Sequence, residues 1–208
     1  MKVYFVRHGQ TEHNVQYLHQ NENAALTDEG LKQANILTKR FSKIPIDVIL
    51  ASPAQRAKQT AEIINKTLKK KIIYSDLIKE WKRPSEFEGK KSTDPVVLEV
   101  HKTINLYQDN PKWHYSDEEN FIEFRSRIKR FLDSLTLEAK QENILVVSHA
   151  GPIKMITLLM ALGDMVKPEI FFGFVDTFRV YNTSITLCEK GKDGLWSVEA
   201  FNDHRHLG

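Results

Sequence analysis

The apolar positions of the chain change period along its length, and the changes outline alternating strands and helices. Lys2 to Arg7 is a short run of aromatic and β-branched residues that fits a buried strand. Similar runs at 46–51, 71–75, 143–147, 178–181, 184–189 and 195–201 predict further strands. Between them the spacing becomes helical. Thr27 reads as an N-cap with Asp28 and Glu29 in the first turn, followed by Leu31, Ala34, Leu37 and Phe41. Ser52 reads as the next N-cap and Pro53 as the first helical residue, with Ala57, Ala61, Ile64 and Leu68 on the inner face. Val97, Val100, Ile104 and Tyr107 suggest a helix. Phe121, Phe124, Ile128, Phe131, Leu132 and Leu135 form a strong stripe, and Gly151-Pro152 opens a helix that Gly163 ends.

Strands alternating with helices, several of them continuously apolar, predict an α/β fold with a mainly parallel sheet and helices on both faces. Neither an internal repeat nor a low-complexity linker interrupts the pattern. One domain over residues 1–208 is expected, with a lid-like insertion around 81–116 where Pro84, Pro95 and Pro111 punctuate the least regular stretch.

Composition narrows the function classes. Apolar residues make up 41% and charged residues 27%, ordinary for a globular chain. A net charge of +3 is too slight to argue for nucleic acid or an anionic membrane as partner. The greasiest segment, Met155 to Leu162, falls well short of the roughly 18 residues a spanning helix needs. The single cysteine, Cys188, cannot form an internal disulfide or a Cys-rich zinc site and reads as packing, so a cytoplasmic location is expected. His8, His13 and His19 lack the spacing of a paired helical metal motif, and no metal or cofactor is expected.

In folds of this kind ligands bind at the carboxyl ends of the strands. The first strand runs into Arg7-His8-Gly9, and the strand at 143–147 runs into Ser148-His149-Ala150-Gly151. The strand at 46–51 leads to Arg56 on the first turn of its helix. Two arginines, two histidines and helix N-termini on one edge make an anion pocket suited to phosphate, with His149 as a protonatable partner of the arginines.

RHGQTEHN (Arg7 to Asn14), LTDEG (Leu26 to Gly30), SPAQRAKQTA (Ser52 to Ala61) and SHAGPIK (Ser148 to Lys154) resemble the successive signatures of the histidine phosphatase superfamily, in its phosphoglycerate-mutase-like branch. Four separated motifs in the right order make the resemblance specific. It implies a phosphoglycerate-mutase-like fold and a metal-independent phosphatase that hydrolyses small phosphorylated metabolites through a phosphohistidine on His8. Arg7, Arg56 and His149 would hold the phosphoryl oxygens, His149 would also take part in catalysis, and Asn14 would add a neutral donor. Glu80 sits where the family carries its general acid. The following EWKRPSEFEG departs from the family pattern, with Pro84 where a glycine is usual and Glu88-Gly89 displaced by about one residue, so Glu80, Glu86 and Glu88 all stand as candidates.

Two further readings compete. A phosphoglycerate-type mutase of the family would carry E-R-H-Y-G where this chain has Glu80-Trp81-Lys82-Arg83-Pro84, which favours hydrolysis. A non-catalytic phosphate-binding member would be expected to have lost His8, Arg7, Arg56 or His149, and all are present. Trp81, Lys82, Arg83, Trp113 and His114 give the insertion a basic and aromatic character that could favour a further anionic group. His204 and His206 are either tail residues or fold back to rim the pocket. The Phe171-Phe172-Gly173-Phe174-Val175 run is either core or an interface, and oligomeric state is unreadable from the chain.

Overall fold

A computed structural model describes residues 1–107, 110–137 and 142–208. The predicted insertion is therefore described except for residues 108–109. Six strands form one sheet: β1 (Lys2–Arg7), β2 (Val48–Ala51), β3 (Ile72–Tyr74), β4 (Asn143–Ser148), β5 (Ile185–Lys190) and β6 (Trp196–Asp203), in the order β3-β2-β4-β1-β5-β6. The pairings β3–β2, β2–β4 and β4–β1 are parallel; β1–β5 and β5–β6 are antiparallel. The sheet is thus mainly parallel, as the pattern predicts, with an antiparallel hairpin on one edge.

Helices cover both faces because successive strand residues point to opposite sides. Val3 and Phe5 of β1 and Ile144 and Val146 of β4 pack against α5 (Phe121–Leu137), α6 (Ala150–Leu162) and α7 (Pro168–Thr177). Val6, Leu145 and Val147 face the other way, onto α2 (Asp28–Phe41) and α3 (Gln55–Leu68). Thr27 caps α2 by accepting from the Gly30 N–H at 3.0 Å, and Gly163, at φ 57°, ends α6. Among the described residues two further α-helices are α1 (Glu12–Gln16), inside a stretch whose composition is that of a polar loop, and α4 (Pro95–Leu106) within the expected insertion. Phe87, Val97, Val100 and Ile104 give that insertion a small core of its own, with Trp113 packed against it.

Two local expectations fail. Residues 178–181 form no strand, because their backbone groups are engaged elsewhere. The Phe178 N–H bonds the Phe174 carbonyl, the Val180 carbonyl accepts from Arg7, and the Tyr181 N–H donates to the Asn202 side chain. Phe178 instead stacks on Phe174 with centroids 4.4 Å apart. The helix after β2 begins at Gln55, with Ala54 at the cap position, rather than at Pro53. Ser52 Oγ still accepts from the Ala54 N–H at 3.3 Å, but it also serves the site described next.

The remaining ambiguous segments resolve by packing. Phe171 of the aromatic run is fully buried in the core, and Phe172 packs at its margin. Cys188 is completely buried, and burial pushes its thiol pKa up to about 12, which suits packing rather than reactivity. No helix among the described residues is long and apolar enough to cross a membrane.

Candidate active site

Strand register assembles the site. β1 and β4 are parallel neighbours with Arg7 opposite Ser148, so both chains leave the sheet at the same level. His8 and His149 emerge side by side, ring centroids 5.2 Å apart. β2 pairs with β4 so that Ala51 faces Val147, and Ser52 arrives at the same edge with its Oγ 2.8 Å from His149 Nε2. From the first turn of α3, Arg56 Nε donates to His8 Nε2 at 3.2 Å. The four sequence-predicted residues Arg7, His8, Arg56 and His149 are thus brought together by three strand ends.

The protonation of His8 follows from its contacts. Its Nδ1 lies 2.7 Å from the Gly9 carbonyl, so Nδ1 carries the proton and Nε2 keeps its lone pair. Burial, then the Arg56, His149 and Arg7 neighbours, hold its pKa well below the usual histidine range. His149 is likewise fully buried and pushed well below that range, by burial first and the arginines next. This corrects the expectation of a protonatable His149: in the folded protein it is neutral, and its contribution is a directional N–H rather than charge. The arginines feel the same environment. Arg7 is lowered by burial against the pull of Glu80, and Arg56 falls to about 10 for the same reason.

The loop carrying His8 is fixed from both sides. The Gly9 N–H donates to Thr60 Oγ1 at 3.1 Å, and Thr60 in turn donates to the Arg56 carbonyl at 2.7 Å. Gly9 and Gly30 pass so closely that a Cβ on Gly9 would lie 2.6 Å from the Gly30 carbonyl oxygen, which explains a glycine in each of the first two motifs. Asn14 is placed one step back. Its Oδ1 caps α1 by accepting from the Thr11 N–H at 3.2 Å and also accepts from Asn182 Nδ2 at 3.1 Å; Asn182 Nδ2 further donates to the His8 carbonyl at 2.9 Å.

The three candidate acids separate clearly in space. Glu80 lies over the start of α6, its Oε1 accepting from the Trp81 N–H at 2.9 Å and the Gly151 N–H at 3.2 Å. Its charge acts on both Arg7 and Arg56. Glu88 is exposed and bonds Asn21, while Glu86 is exposed and hydrogen-bonds Tyr115. Arg127 from α5 holds the Glu80 segment by donating to the carbonyls of Leu77 at 2.8 Å and Lys79 at 3.0 Å. The same guanidinium grips Glu119 through two bonds of 2.6 and 2.7 Å.

A cavity of about 1160 Å³ opens beside Arg56 and Glu80, walled by the loop at 18–22, by residues 79–85, by Phe87 and Glu88, and by α5 and α6. His204 and His206 do not line it; His206 instead contacts Thr183 and Arg40. Sequence reasoning missed Ser52, Thr60, Arg127, Lys154 and Asn182 as supporting groups. One of them had a signal: Lys154 is the lone charge in an otherwise apolar helix, and a buried lysine asks for a reason. Its Nζ donates to the Val175 carbonyl at 2.9 Å on the cavity wall. Among the described residues no group of three or more His, Cys, Asp or Glu side chains is arranged to hold a metal ion.

Comparison with known proteins identifies the family. Residues 3–204 match the model of the histidine phosphatase superfamily, branch 1. A Hydrogenobacter thermophilus protein assigned as a phosphoserine phosphatase is 32% identical over 162 residues, 76% of this chain and 78% of its own length. A broad-specificity phosphatase of Saccharomyces cerevisiae is 25% identical over 218 residues, covering 100% of this chain and 88% of its own. The solved structure of Bacillus stearothermophilus YhfR superposes with a TM-score of 0.83 at 23% identity, covering 100% of this chain and 99% of that one. With a match that spans nearly the whole chain, this protein belongs to branch 1 of the histidine phosphatase superfamily.

Proposed function

We propose that the protein hydrolyses small phosphomonoesters in two steps, with His8 as nucleophile and Glu80 as general acid and then base. The observation that carries this reading is a neutral, fully buried histidine whose free Nε2 is met by an arginine, beside donors with unmet capacity. Arg7 Nε and His149 Nδ1 are buried without a partner among the described residues. Such groups cost about 1–3 kcal/mol each, and phosphoryl oxygens would satisfy them.

In the first step His8 Nε2 forms a bond to phosphorus while the bond from phosphorus to the ester oxygen breaks. Charge spread over the equatorial oxygens meets Arg7, Arg56 and His149, which supply the electrostatic stabilisation that phosphoryl transfer requires. The departing alkoxide takes a proton from Glu80. The Trp81 N–H holds Oε1 of Glu80 at 2.9 Å and the Gly151 N–H reaches both carboxylate oxygens, at 3.2 and 3.4 Å, which fixes the carboxyl group over the start of α6. In the second step water attacks phosphorus, Glu80 accepts its proton, the bond to nitrogen breaks and phosphate leaves. Throughout, the proton stays on Nδ1, which donates to the Gly9 carbonyl and so stabilises the phosphorylated ring. The substrate is a small phosphorylated metabolite, and the single buried thiol suits a cytoplasmic setting.

The test is direct. With p-nitrophenyl phosphate in excess EDTA, steady turnover is expected, and His8→Ala abolishes it. Acid-quenched labelling leaves a base-stable, acid-labile phosphoryl group on His8. Full activity in His8→Ala overturns the assignment.

A further inference from the structure

We propose that Arg83 is the receptor for a second anionic group, so that the substrate is a phosphomonoester with a further oxyanion, carboxylate or phosphate, on its alcohol part. This deepens the phosphatase reading and rests on it. The inference starts from an account of the positive charges on the cavity wall. Lys79 is paired with Glu22 and Asp76 at 2.9 Å each, and Lys82 with Asp117 at 3.0 Å. Arg127 holds Glu119, Lys154 holds the Val175 carbonyl, and Arg56 is spent on His8 and the Asn21 carbonyl.

Arg83 differs. It lines the same cavity, half-buried, yet its guanidinium has no hydrogen bond or ion pair to any described residue. It lies 3.8 Å from the centroid of the Trp81 ring. Trp81 is itself immobilised, stacked on Phe124 at 4.9 Å and donating from Nε1 to the Glu119 carbonyl at 2.7 Å. A guanidinium stacked on a fixed indole keeps its edge of N–H donors free, the geometry that matches an oxyanion in two bonds.

The nearby carboxylates do not satisfy it. Glu80 and Glu118 act on Arg83 through space, but Glu118 is engaged by the Tyr115 and Ser116 N–H groups at 2.6 and 2.8 Å, and Glu80 by Trp81 and Gly151. Desolvation outweighs both and brings its pKa down to about 10. A second orphan lies on the same wall: His19 Nε2 is buried without a partner among the described residues, its ring is against Phe87, and burial first and Arg83 second lower its pKa. An unpaired guanidinium and a histidine with an unused ring nitrogen thus line one cavity.

Size fixes the class further. Arg83 is three residues from Glu80, so their Cα atoms are at most about 10 Å apart. With both side chains on one cavity, a second anion on Arg83 and a scissile ester at Glu80 can belong to one small molecule.

Matched substrates test this. 3-Phosphoglycerate and glycerol 1-phosphate differ only in a carboxylate against a hydroxymethyl group. 1,3-Propanediol bisphosphate and 3-hydroxypropyl phosphate make the same comparison for a second phosphate. The wild-type protein is expected to favour the more anionic member of at least one pair in kcat/KM, and the favoured pair identifies the source of the oxyanion. Arg83→Met, which keeps an apolar stem on Trp81, should reduce that preference on the order of 10- to 100-fold, mainly through KM. Equal kcat/KM within both pairs in the wild-type protein, or a preference that survives Arg83→Met, overturns the proposal. p-Nitrophenyl phosphate separates the two readings: no turnover of it sinks the phosphatase assignment, whereas turnover without discrimination sinks only the role of Arg83.

Discussion

Gly151→Ala tests Glu80 as the proposed general acid without removing a charged group. A Cβ built on Gly151 would lie 2.3 Å from Glu80 Oε1, while ordinary contact begins at 3.4 Å, so the carboxylate must retreat by about 1.1 Å. The retreat is cheap for folding because the obstructed atom is the end of a flexible side chain. It is expensive for chemistry: a misplacement of about 1 Å costs on the order of 10²-fold. The Gly151 N–H bond to Oε1, now 3.2 Å, would also be lost. Leaving groups report the defect. On glycerol 1-phosphate, whose alkoxide needs a proton as it departs, kcat/KM should fall about 100-fold. On p-nitrophenyl phosphate, whose phenolate leaves unaided, the fall should stay within about threefold. In a Glu80→Gln background Gly151→Ala should add little, since both changes remove the same function. Equal losses on the two esters, or full additivity with Glu80→Gln, would refute the placement of Glu80 and return the role to Glu86 or Glu88.

Two more outcomes follow from the structure. His8 and His149 have lowered pKa values in the folded protein, so below about pH 6.5 the unfolded chain binds protons that the native one refuses, and stability falls with pH. Urea unfolding between pH 6.5 and 5 should show a loss of up to about 2 kcal/mol for each histidine, and His149→Asn should flatten the slope. Arg127→Met leaves Glu119 unpaired, where both side chains are 14% exposed; it should lower stability by about 3 kcal/mol in urea and slow poor leaving groups by releasing the Glu80 segment.

Much of this site is legible in the chain because strand ends in a parallel sheet are addresses. Once 2–7 and 143–147 read as buried strands, Arg7-His8 and Ser148-His149 have to meet on one edge, and the register of β1 with β4 does bring them together. The stripes of α2, α3 and α5 are legible for the same reason: a single period of burial leaves a single pattern. What escapes is whatever depends on contacts between segments. Phe178 to Tyr181 has strand composition, but side chains and helix ends took its backbone partners. Ser52 has the local signature of a helix cap, yet its hydroxyl also meets His149, 97 residues away. Arg127 sits within an apolar stripe and gives no sign that it holds three distant carbonyls.

The same limit explains why residue charge misleads where residue position does not. Arginines and histidines converging on a strand end suggest adding their charges, with His149 as one more cation. In the folded site the charges compete: Arg7 and Arg56 sit beside both rings, and each guanidinium that readies the pocket for a phosphoryl group makes protonation of His8 and His149 costlier. That competition serves the reaction. A protonated His8 would have no lone pair for phosphorus, and the two arginines proposed to hold the phosphoryl oxygens add to burial, the larger cause, in keeping Nε2 unprotonated. Nucleophile activation and transition-state stabilisation therefore draw on one pair of side chains. Loss of either arginine should damage both, which is why their effects on rate should be far from additive.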